Sequence, residues 1–389
     1  MKVIASTILF LVMSVSVFSQ SMMEKRDLVQ FRDFFSNQLR SNGVVGGAFV
    51  FSKDGEELLF LNHGSAHLEK RLPVDDETIF HWASNTKTVT GIAIMQLRER
   101  GMLSLDDRVT KYLPELSKVR NPYGSMDDVT IRHLMNHSSG FRNPTYPYKK
   151  GLPWEPFEPT DYSQLEATFP FTELLFKPGE RFGYSNPGIV FLGRIIEKLS
   201  GDDYETYIEK NIFKPLGMNK SYFDRTPYHL IKNRSHSYYR EGDKLREGRF
   251  DADTGITVSN GGLNSPMRDM VKYFDFLVGN RVEDGTPLSR NILLEMFQPS
   301  IDSDSDANGY KGMTTGVGLT FFLDEVDGEV FLGHGGDQNG FISYTEFNLK
   351  RKTFSIFVLN TTIESKNEDM DNDLIMRLRR EVRKLHKSY

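Results

Sequence analysis

The 389-residue chain contains no cysteine. That removes disulfides, thiol nucleophiles and lipid attachment through a cysteine, and it leaves the compartment open. The chain also lacks a strong charge of either sign: 48 basic and 53 acidic residues give a net charge of −5, with no basic run long enough to track a nucleic-acid backbone. No nucleic-acid partner is expected. Internal repeats, low-complexity tracts, phosphate-binding glycine loops and a Gly-x-Ser-x-Gly elbow are all missing. One long apolar run exists, from Val3 to Val17, preceded by Lys2 and followed by Ser19. This is the layout of a secretory signal peptide, so cleavage after Ser19 and a secreted or periplasmic location are expected. The run is short for a membrane span and nothing later approaches one, so no transmembrane segment is expected after its removal. Residues 20–389 are long enough to build one large, well-cored domain.

Metal-ligand patterns are equally scarce. His133 and His137 stand four apart, as a pair on a helix would, yet no glutamate follows His133, and Ser138-Ser139-Gly140 ends the helix. Asp302, Asp304 and Asp306 imitate the start of a calcium loop, but Ala307 occupies the glycine position and Met313 the closing glutamate position. No metal and no cofactor are expected.

What is present centres on His81 to Gly101, which reads as one buried helix. Ser84 and Lys87 are three apart, on one face and one turn from each other, so an amine can reach a hydroxyl. Alone, such a pair is common, with serine as a cap and lysine in solvent. Two features raise its weight. The serine opens the helix, where backbone NH groups favour a developing anion, and the lysine adjoins an apolar stretch from Val89 to Leu97 that can desolvate it. Arg98 to Gly101 closes the helix with cations and a glycine cap.

Two further polar clusters stand out. In Gly183-Tyr184-Ser185-Asn186-Pro187 a phenol and an amide precede a helix start; near an amine, a phenol can take a proton from a serine, and the amide can hold Lys87 and a substrate carbonyl. In Gly333-His334-Gly335-Gly336-Asp337, directly after a strand from Val330 to Leu332, glycines allow close backbone approach. The histidine there is either positive near neutral pH and able to contact a carboxylate, or neutral and a hydrogen-bond donor.

Around these clusters the pattern is α+β. Glu24 to Leu39 has helical spacing; Gly43 to Phe51 and Leu58 to Leu61 form a hairpin through Lys53-Asp54-Gly55. Strands are expected at Val317 to Leu323, Val330 to Gly333, Ile342 to Leu349 and Thr353 to Leu359, then a charged helix from about Glu368 to Leu385. Helix starts recur between them at Thr130, Asn186-Pro187, Ser265-Pro266 and Ser289. The expected architecture is an antiparallel sheet formed by both chain ends (residues 20–83 and 310–389), flanked by helices, with a mainly helical region (84–309) inserted. Asn143 to Asp161, rich in proline and aromatics, suits a rim or lid over a cleft.

Taken together, Ser84-Asn85-Thr86-Lys87, Tyr184-Ser185-Asn186 and His334-Gly335-Gly336 resemble, in order and spacing, the three active-site motifs of the serine β-lactamase and penicillin-binding superfamily. The form is closest to its class C, D-alanyl-D-alanine carboxypeptidase and esterase branch. Leu103 to Asp107, Tyr112-Leu113-Pro114, Ile131 to Gly140, Lys177 to Glu180 and Asn260 to Leu263 look like that branch too, and the resemblance spans roughly Gly46 to Leu359. It implies acyl transfer: Ser84 as nucleophile, Lys87 and Tyr184 sharing its proton, Asn186, His334, Gly335 and Gly336 binding substrate, and the backbone NH groups of Ser84 and Asp337 forming the oxyanion hole. The implied partner is a small-molecule or peptide substrate, a D-amino-acid peptide first, with carboxylesterase and β-lactamase activity as alternatives. A slowly deacylating or non-catalytic receptor for peptidoglycan or β-lactams is the alternative of another class. Oligomeric state is left open. Lactamases of the family carry Lys-Thr-Gly where this chain has His334-Gly335-Gly336, so carboxylate-bearing substrates are expected to be favoured only while His334 is protonated.

Overall fold

The computed structural model describes residues 26–142, 159–250, 254–280, 286–302, 314–363 and 373–389. The expected signal peptide, most of the Asn143 to Asp161 loop, and Asp304, Asp306, Ala307 and Met313 of the calcium-like loop lie outside them. No helix among the described residues is long and apolar enough to cross a membrane.

The strands in chain order are β1 Gly46–Lys53, β2 Glu56–His67, β3 Leu72–Pro73, β4 Ile79–His81, β5 Tyr222–Phe223, β6 Tyr238–Glu241, β7 Lys244–Glu247 and β8 Leu263–Pro266. They continue as β9 Ile301–Asp302, β10 Gly316–Val317, β11 Phe322–Val326, β12 Glu329–Gln338, β13 Phe341–Asn348, β14 Thr353–Leu359 and β15 Thr361–Ile363. Nine of them form one antiparallel sheet in the order β3-β2-β1-β14-β13-β12-β11-β10-β9. Its seam joins the two chain ends, with Phe49 opposite Phe357.

Alternation along the strands explains the layers. Ala48 and Val50 of β1, with Phe354, Ile356 and Val358 of β14, face the large core beneath the inserted region. Phe49 and Phe51, with Phe357 and Leu359, face the opposite way, onto Phe31, Phe35 and Leu39 of the helix at 26–41 and Leu378, Val382 and Leu385 of the helix Leu374–Ser388. Period-two side-chain direction thus buries both faces of one sheet, giving a helix–sheet–helix sandwich.

The fold agrees with the expected α+β class and differs in detail. The inserted region is mainly helical but supplies β5 to β8, which form two small sheets, β4-β8-β5 and β15-β6-β7. These are short strands whose pairing is set by tertiary contacts rather than by pattern. Val317 to Leu323 is not one strand: Thr320 turns at φ 66 and Gly318 N donates to Phe321 O, so the chain folds back from β10 into β11.

The segment His81 to Gly101 is likewise not a single helix. His81 ends β4, paired with Asn264; Trp82 N donates to Leu263 O; and Ala83 has φ 47, a left-handed value through which an α-helix cannot continue. A one-turn 3-10 helix, Ala83–Asn85, then leads into the α-helix Thr86–Glu99. That helix is buried through Leu97. Its threonines find partners inside: Thr88 with the Tyr273 hydroxyl and Thr90 with that of Tyr204, at 2.9 and 2.7 Å. Buried polar groups so satisfied do not penalise the core.

Candidate active site

Ser84 is the one residue between Thr78 and Leu97 that is not fully buried. It sits at the exposed tip of the strained turn, with Ala83 holding the turn open behind it. Lys87 is wholly buried, and its Nζ donates to Ser84 Oγ at 2.9 Å and to the Asn260 carbonyl at 2.7 Å. Burial pushes the Lys87 amine well below the usual lysine pKa. Desolvation therefore makes it available as a base within hydrogen-bond reach of a hydroxyl.

Tyr184 comes from the loop before the helix Asn186–Ser200, and its ring lies 5.1 Å from the Lys87 ammonium position. It packs with Phe182, Val317 and Phe322. Tyr184, distant in sequence, thus meets the Ser84–Lys87 pair. Asn186 begins that helix, behind a Ser185 cap whose hydroxyl accepts from Gly188 N. The described anchors of Lys87 are Ser84 and Asn260, and Asn260 in turn reaches the Asn186 backbone carbonyl through its side-chain amide at 3.5 Å.

The glycine-rich motif lies inside β12, not after a strand. β13 pairs with it as far as Gln338, whereas β11 pairs only up to Gly333. From His334 onward one edge is therefore uncovered, beside the turn bearing Ser84. A Cβ on Gly336 would stand 2.4 Å from Trp82 O, so only glycine permits this approach. The edge runs beside the turn that carries Ser84.

His334 is buried, with its ring 4.6 Å from Phe322 and 6.2 Å from Tyr184, and its Nδ1 meets the Gly335 carbonyl at 2.5 Å. Burial, reinforced by the Lys87 charge, lowers its pKa to about 3, so the ring is neutral at physiological pH. A carbonyl partner places the proton on Nδ1. Of the two readings left open by the sequence, this packing favours the neutral ring.

The profile of the family described as Beta-lactamase matches residues 31–379. The chain belongs to the Beta-lactamase family. It is 30% identical over 245 residues to penicillin-binding protein 4* of Bacillus subtilis, a match covering 58% of this chain and 51% of that protein, so the chain spans about half the length of that relative. The octameric penicillin-binding protein homologue from Pyrococcus abyssi superposes with TM-score 0.74 at 30% identity, over 86% of this chain and 74% of that one. A class C β-lactamase superposes with TM-score 0.75 at 20% identity, over 93% and 96%, which speaks to the fold alone.

Within this family framework, two residues that sequence reasoning did not assign hold the site together. Asn85, next to the nucleophile, donates to Ser343 Oγ at 2.9 Å and accepts from Thr345 Oγ1 at 2.8 Å, fastening the turn to β13. Its place between Ser84 and Lys87 was the available signal. His137 has left the helix Ile131–Met135 at φ 58 and packs 4.6 Å from the Tyr184 ring. His133 instead accepts from Thr130 N within a capping box, so the two histidines serve separate backbones and do not converge on a metal. The Ile131 to Gly140 motif signalled His137 without revealing its partner.

Proposed function

We propose that this Beta-lactamase family chain is an exported hydrolase that cleaves an amide or ester through an acyl-enzyme on Ser84, with D-amino-acid peptides or related small acyl compounds as substrates. The observation that carries the reading is the 2.9 Å contact between Ser84 Oγ and an amine that burial keeps unprotonated. Ser84 attacks the carbonyl while its proton passes to the coupled Lys87–Tyr184 pair. The developing oxyanion is received by the backbone NH groups of Ser84 and Asp337; one such donor is typically worth about 3 kcal/mol in the transition state. The leaving amine or alcohol takes the proton, and water activated by Tyr184 then releases the acyl group. Asn186, His334, Gly335 and Gly336 line the substrate side, His334 as a neutral group. Export rests on the layout of residues 1–19.

Carboxylesterase activity is the second reading, and the neutral His334 favours it: a site without a permanent cation gives little preference to substrates that carry a carboxylate. Intact-mass spectrometry of the chain and its Ser84→Ala variant, with a penicillin, an aryl ester and a D-alanyl-D-alanine peptide in separate reactions, tests both. Peptide turnover, with a Ser84-dependent penicillin adduct, is the expected result; ester turnover without an adduct selects the esterase. Turnover retained by Ser84→Ala overturns the mechanism, and binding without adduct or turnover makes the protein a receptor.

A further inference from the structure

Away from Ser84, three side chains with no part in the hydrolytic mechanism converge: His67 at the end of β2, His236 just before β6, and Glu247 at the end of β7. Their ligand-capable atoms all lie within 4.8 Å of one another. The two imidazoles are stacked, with centroids 3.6 Å apart and planes at 15°, and His236 Nδ1 hydrogen-bonds the Glu247 carboxylate.

We propose that His67, His236 and Glu247 bind one divalent transition-metal ion of the zinc class. Two imidazoles and a carboxylate are a donor set for which zinc is well suited, with a fourth position left to water. The backbones that carry them are fixed without the ion. His236 N donates to Ala66 O at 2.8 Å, beside His67; the Tyr238 hydroxyl accepts from Leu68 N at 2.9 Å; and Glu247 pairs with Tyr238 across the β6–β7 hairpin. Ligand bonds of about 2 Å in a tetrahedron put neighbouring donors about 3.3 Å apart, so side-chain rotation closes the remaining gap. Glu247 is exposed and His67 buried, which leaves the solvent side open to both ion and water.

The charges around the cluster suit a cation. Burial first, and then the neighbouring His236, hold the His67 ring below its usual pKa, so its lone pair is free at neutral pH; Glu247 and Glu69 act against the cation Lys70. On binding, metal bonds take over from the hydrogen bond between His236 and Glu247. The ion clips the β6–β7 hairpin to the end of β2. That hairpin also abuts the β12–β13 turn, where Gly340 packs on Ser237 and Gly248 N donates to the Ser237 carbonyl.

The test is titration of the chelator-treated full chain with Co(II) and then Zn(II). The expected result is one Co(II) per chain with the intense visible bands of a tetrahedral site, displacement by Zn(II), and a rise in melting temperature with Zn(II). His236→Ala and Glu247→Gln each weaken binding by roughly tenfold or more. Both act at or near the surface and should keep the wild-type circular dichroism spectrum in chelator, so the outcome does not depend on folding of a buried His67 variant. Absence of bands and of a melting shift, or binding unchanged in both variants, overturns the site.

Discussion

The Nδ1 atom of His137 accepts a hydrogen bond from the backbone NH of Ser185 at 3.2 Å, while the His137 carbonyl accepts one from Gly183 N at 2.8 Å. One residue therefore holds the chain on both sides of Tyr184. The acceptor role of Nδ1 puts the ring proton on Nε2, and burial keeps the ring neutral. Through these bonds His137 positions the phenol against Lys87. His137→Ala is expected to lower kcat about 100-fold, the scale of an ångström-sized misplacement, with KM little changed. Stopped-flow separation of acylation from deacylation checks it, and a parallel fall in melting temperature without a kcat effect would reduce His137 to a packing residue.

Asn85 bridges Ser343 and Thr345 from the turn that carries the nucleophile. Its removal takes one partner from each of two buried hydroxyls, which keep their bonds to the Trp82 carbonyl and the His334 backbone, and leaves a cavity in a buried polar network. Asn85→Ala should cost about 2 kcal/mol in urea unfolding and reduce turnover as well, since the turn loses its tie to β13. Wild-type stability in this variant would show that the turn is held by backbone bonds alone.

Because His334 is neutral with a pKa of about 3, preference for a carboxylate-bearing ester over its neutral analogue should not change between pH 5.5 and 8. The ratio of kcat/KM values for such a pair measures this directly. An inflection near pH 6.5 would mean that the ring is exposed and titrating.

His334 and His386 are both buried, each with its pKa lowered to about 3. His386 lies between the Thr353 and Ser355 hydroxyls, with the Arg383 and Arg351 cations nearby. The unfolded chain takes up protons near pH 6.5 that the folded chain refuses until about pH 3, so stability is full above pH 6.5 and falls as pH drops through that window. At pH 5 the loss is about 2 kcal/mol per histidine. Urea midpoints from pH 7.5 to 4.5 should show this slope, and His386→Gln should remove its own share, about 2 kcal/mol at pH 5.

Ser84, Lys87 and Tyr184 are proposed as a set through the resemblance of three ordered motifs to the serine β-lactamase and penicillin-binding superfamily, and the fold brings them together. The two-ended sheet was legible because alternation at Gly46–Lys53 and Thr353–Leu359 is a local signal of strand faces. Three things were decided only by tertiary structure. The turn at Ala83 exists because β4 pairs with β8, a contact nearly 200 residues away in sequence. His334 is neutral because Phe322 and Tyr184 bury it, and charge depends on solvent access that no motif specifies. His67, His236 and Glu247 come together because β2 and the β6–β7 hairpin are joined through the backbone of Ala66 and His236, whereas in sequence they have no ligand spacing at all. Local pattern determined the elements and the chemical identity of the hydrolytic residues, and long-range pairing and burial determined how each side chain is charged, aimed and partnered.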